Sequence, residues 1–201
     1  MAGANFLGHQ MNFILFNGPP RSGKDTAAKI AFDYIQANKN NWPVWEKFSF
    51  PNKKSFAGCL NLSMDVQGNV EYYEAQKDTA TTPFGVTYRQ FQIDISEKFL
   101  KPVYGQNIFG KLLLARCEYV DPNINPVFVV SDCGFQIECD VLKDHNVLLI
   151  RMRRDGCTFV GDSREYVAER DNWDRHDFYN NGSIEQLKGL VETTVEAWLK
   201  K

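Results

Sequence analysis

Three observations predict an α/β fold built on a parallel sheet. Short apolar runs alternate with amphipathic helical stretches, a glycine-rich turn follows the first apolar run directly, and no internal repeat or low-complexity tract interrupts the alternation. Asn12 to Asn17 (NFILFN) is a continuous apolar run, suited to a strand buried on both faces. A Gly/Pro-rich turn leads into Gly23 to Asn38, where Ala27, Ile30, Ala31, Tyr34 and Ile35 recur at helical spacing. Val44 to Phe50 predicts a second strand, with Pro51 opening the next segment. Gly68 and Asn69 mark a turn, and Thr79 to Gly85 a loop. Thr87 to Tyr104 places Phe91, Ile95, Phe99 and Leu100 on one helical face, with Pro102 expected to end or kink that helix. Ile108 to Tyr119 predicts another helix, and Val127 to Val130 a third buried strand ending at Ser131 and Asp132. Phe135 to Lys143 reads as helical, Val147 to Met152 as a fourth strand, and Arg153 to Asn181 as polar and irregular. Ser183 to Leu199 is the last helix: Ser183 and Gln186 fit a capping box, and Ile184, Leu187, Val191 and Trp198 share a face. Ligands of such sheets bind at the C-terminal ends of strands, here the loops after Asn17 and after Val130.

The chain has 201 residues, the size of one domain with insertions. The expected division is a core of about 12–50, 126–152 and 183–201, a substrate-binding insertion of about 51–125, and a lid of about 153–182. Hydrophobic residues make up 43% and charged residues 24%, which excludes general disorder. Lysine plus arginine total 23 against 25 acids, a net charge of −2, which argues against a nucleic-acid polymer or an acidic membrane as partner. No apolar run reaches the length of a membrane span. The opening MAGANFLGHQM lacks the basic start and apolar core of a secretory signal, so a cytoplasmic protein is expected. The five cysteines form no C-x-x-C pair and the three histidines are scattered, so reduced thiols are expected and neither a zinc site nor a disulfide framework.

The chemistry concentrates in GPPRSGKDT, Gly18 to Thr26, which matches G-x-x-x-x-G-K followed by an acid. The glycines permit a backbone that aims several N–H groups inward as an anion nest, and the helix that opens here adds its positive end. Gly18, Arg21, Ser22, Gly23, Lys24, Asp25 and Thr26 are therefore the candidate residues for ATP, with Lys24 bridging the β- and γ-phosphates. Asp25 stands where a hydroxyl normally ligates Mg²⁺; a carboxylate is also a hard oxygen ligand, so Asp25 is expected in the magnesium shell and Thr26 nearer the phosphates. In VFVVSD, four apolar residues followed by Asp132 resemble a Walker B strand, whose carboxylate holds magnesium-bound water; the same residue could instead cap the next helix.

Six of the nine arginines lie between 151 and 175, interleaved with six acids and no lysine. A locally neutral segment rich in forked donors suits a lid that brings charge to a transferring phosphoryl group, worth roughly 10³–10⁵ in rate where arginines do this. Arg151, Arg154 and Arg164 are the catalytic candidates; Arg170 and Arg175 read as structural. In the insertion, Lys53 and Lys54 follow the second predicted strand, and Arg89 lies between Tyr88 and Phe91. Lys54, Arg89 and Asp132 are the substrate-binding candidates, and Asp25 and Asp132 the metal candidates. An arginine flanked by core aromatics on an ordinary helix surface is the competing reading of Arg89.

The segment RSGKDT, Arg21 to Thr26, is similar to the phosphate loop of the bacteriophage deoxynucleoside monophosphate kinases, which also carry Asp after the loop lysine. Phe48 to Lys54, Tyr88 to Glu97, Ser131 to Glu138, and Arg154 with Asp162 to Arg164 loosely resemble further segments of that family, so the likeness spans most of the chain while only the loop is specific. Gly134 departs from it, since the family often has arginine there. The resemblance implies a single P-loop kinase domain, ATP and Mg²⁺ as cosubstrates, a deoxynucleoside 5′-monophosphate as acceptor, and a host-cell cytoplasmic setting; dimers occur in the family. Dephospho-coenzyme A kinases share the general plan but usually have Ser or Thr after the lysine, and a regulatory ATP-binding module without an acceptor would share the loop and Asp132.

Overall fold

The computed structural model describes residues 10–62, 73 and 75–201. The expected turn at Gly68 and Asn69 lies outside the described residues.

Five strands form one all-parallel sheet: β1 (Asn12–Asn17), β2 (Trp42–Glu46), β3 (Pro126–Cys133), β4 (Asn146–Arg153) and β5 (Trp173–Tyr179), in the order β2-β3-β1-β4-β5. The central strand β1 is apolar on both sides, and Phe13, Ile14, Leu15 and Phe16 are fully buried. Ile14 and Phe16 join Val127, Val129, Leu148 and Ile150 on the face covered by α1 (Lys24–Asn38) and by the C-terminal helix Ile184–Leu199. Phe13 stacks on Phe128 with ring centroids 5.1 Å apart. The C-terminal helix starts on the expected capping box, Ser183 with Gln186, and buries Leu187, Val191, Val195 and Trp198, while Ile184 is exposed.

Two units emerge: residues 1–48 with 110–201, and residues 49–109. The second contains α2 (Phe50–Cys59) and a continuous helical run made of α3 (Tyr88–Asp94), a π-helical stretch (Ile95–Leu100) and α4 (Lys101–Tyr104). Phe56 is its aromatic centre, in edge contact with Tyr88 at 5.1 Å and Phe91 at 6.1 Å. Helix α5 (Ile108–Cys117) leads back to the sheet, and α6 (Gln136–Cys139) with a 3₁₀ turn at Asp140–Leu142 follows β3.

Three expectations need correction. The second strand ends at Glu46, and Phe50 to Lys54 belong to α2, because Pro51 supplies a helix N-terminus rather than a strand end. The helix read over Thr87 to Tyr104, by contrast, does end at Tyr104, two residues past Pro102, and the turn before Pro102 is π-helical, with the Lys101 N–H donating to the Ser96 carbonyl. Phe135 to Lys143 is only one short α-turn and a 3₁₀ turn. Trp173–Tyr179, read as part of an irregular polar stretch, is strand β5. As an edge strand it buries Trp173 and Phe178 and leaves charged residues toward solvent, so its apolar signal is weak.

Candidate active site

The loop Gly18 to Gly23 joins the central strand to α1. A Cβ on Gly18 would lie 2.7 Å from the Met152 carbonyl oxygen and 2.7 Å from Ser22 Oγ, so only glycine lets the loop leave β1 this close to β4. Arg21 (φ 65°) and Gly23 (φ 96°) are left-handed around the Ser22 step, an alternation that curls successive N–H groups toward one side. Ser22 is fully buried, and its Oγ has no hydrogen-bond partner among the described residues. An orphaned hydroxyl inside such a loop fits an oxyanion ligand.

Lys24 is 8% exposed, and its Nζ donates to the Pro19 carbonyl at 3.2 Å. Burial holds its pKa below the ordinary lysine value, and the Arg164 guanidinium pushes the same way; the carboxylates of Asp25, Asp162 and Asp132 pull it back. These five charged side chains therefore share one electrostatic neighbourhood. Asp25 and Thr26 are exposed on the first turn of α1. Asp25 Oδ1 accepts from Ser131 Oγ at 2.9 Å and lies 3.4 Å from the Lys47 ammonium. Asp132 Oδ1 accepts the Phe48 N–H at 2.9 Å, so it braces the chain leaving β2 and does not cap α6. Among the described residues no three Asp, Glu, His or Cys side chains gather as a metal cage. Magnesium bound with phosphates needs only one or two carboxylates, and Asp25 and Asp132, hard-oxygen donors beside the loop, fit that donor set.

The arginines sort by what holds them. Arg151 is tied down, donating Nε to the Val167 carbonyl at 2.8 Å and Nη2 to Glu169 at 3.0 Å. Arg170 pairs with Asp140, and Arg175 with Glu169 at 2.7 Å. Arg164 donates Nε to Asp162 at 2.8 Å, and its stem covers Gly134: a Cβ there would come within 2.6 Å of Arg164 Cδ. The space a side chain at 134 would need is thus filled from position 164. Arg154 is exposed, with Nη1 3.5 Å from the Arg21 carbonyl of the loop. Beside it, a cavity of about 320 Å³ is lined by Pro19, Arg153, Thr158, Phe159, Tyr166 and Tyr179, among others; the Arg153 guanidinium sits 4.3 Å from the centroid of the Tyr166 ring.

In the unit of residues 49–109, Arg89 is exposed and makes a two-pronged ion pair with Asp78, its second contact Nη2–Oδ2 at 3.2 Å. That bond holds the Asp78 carboxyl below the usual carboxylate range. Tyr88 and Phe91 pack on Phe56, which assigns both aromatics to packing within this unit. Lys54 is exposed on α2.

Sequence reasoning missed several residues. Asn17, fully buried at the end of β1, donates to the carbonyls of Cys133 and Glu165 and accepts the Val167 N–H. It thereby binds the segment bearing Arg164 to the strand that feeds the loop. Its signal was a polar residue closing an apolar run. Ser131 and Lys47, the partners of Asp25, and Asp162, the partner of Arg164, stood inside quoted segments but were given no role. Asn180, whose Nδ2 donates to the Ser22 carbonyl at 2.9 Å, gave none.

A parallel sheet in this order, with a glycine-rich loop running from its central strand into a helix, defines an α/β fold of the P-loop class. No family model matches the chain, and no curated protein sequence matches it. Among solved structures, a sugar kinase from Janibacter sp. is similar over 94% of this chain and 95% of its own, with 13% identity and a TM-score of 0.44. An APS kinase from Mycobacterium tuberculosis, solved with AMPPNP and APS, covers 96% of this chain and 99% of its own, with 10% identity and a TM-score of 0.46. A thymidylate kinase from Candida albicans covers 94% of this chain and 92% of its own, with 15% identity and a TM-score of 0.34. Among the described residues no helix is long and apolar enough to cross a membrane.

Proposed function

We propose that the chain is an ATP- and magnesium-dependent phosphotransferase whose acceptor is a deoxynucleoside 5′-monophosphate. The observation that carries the phosphotransferase part is Lys24: a nearly buried ammonium in a loop with left-handed turns at Arg21 and Gly23, beside two carboxylates at strand and helix ends. Desolvating a cation is costly, and phosphate oxygens recover that cost. The cavity beside Pro19, walled by Arg153 and aromatic rings, offers the flat, π-faced surface a nucleobase packs on. The acceptor class rests on the resemblance of RSGKDT and its companion segments.

In this reading Lys24 and the loop N–H groups hold the β- and γ-phosphates. Asp25 and Asp132 would hold Mg²⁺, which supplies positive charge to the phosphate oxygens when bound. Arg89, with Lys54, grips the acceptor phosphate, after exchange of Arg89 from Asp78. An acceptor phosphate oxygen attacks the γ-phosphorus, the bond from that phosphorus to the β-bridging oxygen breaks, and ADP leaves. The acceptor is already ionised, so no strong base is required, and catalysis is positioning plus neutralisation of charge. Arg154 and Arg164 carry the neutralisation; Arg151, held by Val167 and Glu169, serves by fixing β4 against the segment that follows it.

A coupled assay with ATP and magnesium across the deoxy- and ribonucleoside monophosphates tests this. Acceptor-stimulated ADP production with a deoxynucleotide preference is expected. ADP production indifferent to every monophosphate would leave a nucleotide-binding module without an acceptor site, and stimulation by dephospho-coenzyme A alone would move the chain to that acceptor. Arg89→Ala should raise the acceptor KM more than the ATP KM; the reverse order removes Arg89 from the acceptor site.

A further inference from the structure

We propose that Asn180 is a positioning residue of the phosphate loop, its side-chain amide holding the Ser22 carbonyl so that the Gly23 N–H is aimed at the bound phosphate. The inference rests on the nucleotide reading above and assigns that site a residue outside the sequence motif.

Asn180 follows β5, yet its Nδ2 donates to the Ser22 carbonyl oxygen at 2.9 Å, across 158 positions of sequence. Its root is fixed: the Asn180 backbone N–H donates to the Arg153 carbonyl at 2.7 Å, extending the β4–β5 pairing one step past Tyr179. Peptide planarity does the rest. In a trans peptide the C=O of one residue and the N–H of the next point in opposite directions, and the chain has no cis peptide among its described residues. A Ser22 carbonyl tied to Asn180 therefore sends the Gly23 N–H the other way, away from β5. Gly23 is shaped for this partner. Its φ is 96°, and a Cβ there would stand 2.3 Å from Asn180 Nδ2, so the close approach of the amide requires glycine. Without the amide, the Ser22–Gly23 peptide is free to rotate toward the flipped orientation, which turns a carbonyl dipole on the phosphate.

The experiment uses the full chain with ADP and magnesium as probe. Calorimetric affinity and thermal midpoint are measured for the wild type, Asn180→Ala and Asn180→Asp, and ¹⁵N-detected amide shifts follow Gly23. Asn180→Ala should weaken ADP about tenfold, the size of one lost hydrogen bond in a site of this kind. It should raise the ATP KM in parallel and leave the acceptor KM within about twofold. Asn180→Asp, nearly isosteric and so retaining the packing, should bind still more weakly, because its carboxylate repels both the Ser22 carbonyl and the phosphate. The large Gly23 amide shift on ADP binding should appear in the wild type and collapse in both variants. Variants that lose thermal midpoint but bind ADP within about twofold of the wild type, with the Gly23 shift intact, overturn the proposal and leave Asn180 a fold brace. A wild type that binds no ADP overturns the nucleotide reading instead, which separates the two failures.

Discussion

The phosphate loop and the arginine segment both gather cations at the C-terminal ends of strands, but they keep them in different states. Lys24 is desolvated and donates a hydrogen bond to a backbone carbonyl. The arginines from 151 to 175 are mostly held by acids: Arg151 and Arg175 by Glu169, Arg164 by Asp162, Arg153 by Asp177 at 2.9 Å and Arg170 by Asp140. A cation held in low dielectric costs folding energy and is ready for an anion at once. A partly exposed ion pair is worth about 0–1 kcal/mol, so its arginine can change partners cheaply. Readiness is concentrated in one lysine, and adaptability is spread over several arginines.

The largest effect that could break this contrast is at the loop. Lys24→Ala should reduce turnover by at least about 10²–10³, the cost of one lost charge-stabilising donor in a preorganised site, and leave the circular-dichroism spectrum unchanged. Near-normal activity would end the assignment. Next come the arginines. Arg164→Ala should lower kcat by about 10²-fold or more, and Arg154→Ala by a smaller factor, if they neutralise the transferring group. Arg170→Ala and Arg175→Ala should stay within a few-fold, so equal losses at all four positions would erase the distinction.

A pH profile sharpens the comparison further. Because burial and Arg164 lower the Lys24 pKa, kcat/KM for ATP should fall on the alkaline side before an ordinary lysine titrates. Arg164→Gln removes a positive neighbour and should move that limb to higher pH. The linkage has the matching sign. With the folded pKa below the unfolded one, the unfolded chain binds more protons between the two values, so stability rises with pH through that window. At neutral pH the charged Lys24 is a net cost, and Lys24→Met should keep or raise the thermal midpoint while abolishing ATP binding. The smallest effect is a control on the fold alone. Ser183→Ala breaks the capping box of the last helix and should cost about 1 kcal/mol in urea unfolding, with kinetics unchanged.

The legible part of this site was the contiguous part. Gly18, Gly23, Lys24 and Asp25 sit within eight positions between an apolar strand and an amphipathic helix, so local spacing carries the geometry. Asp132 was legible because four apolar residues precede it, although its bond to the Phe48 N–H was not. Strand β5 was illegible because an edge strand can be largely charged: Trp173 and Phe178 are buried, while the residues between them face solvent or pair across to β4. The likeness that marked Gly134 as an odd glycine posed a question the chain order could not answer, since the side chain filling that space arrives from thirty positions later.

By itself the sequence determined an alternation of buried strands and helices, the glycine-rich loop before Lys24, and the crowding of arginines from Arg151 to Arg175. These follow from hydrophobic periodicity, backbone permissiveness at glycine and local charge, all of which act over a few residues. The tertiary structure alone decided that Asn17 clasps Cys133, Glu165 and Val167, that Ser131 and Lys47 attend Asp25, that Arg151 is bound while Arg154 is exposed, and that Asn180 holds the Ser22 carbonyl. Hydrogen bonds of that kind join residues as much as 158 positions apart. They exist only once a parallel sheet has brought the ends of its strands to one edge.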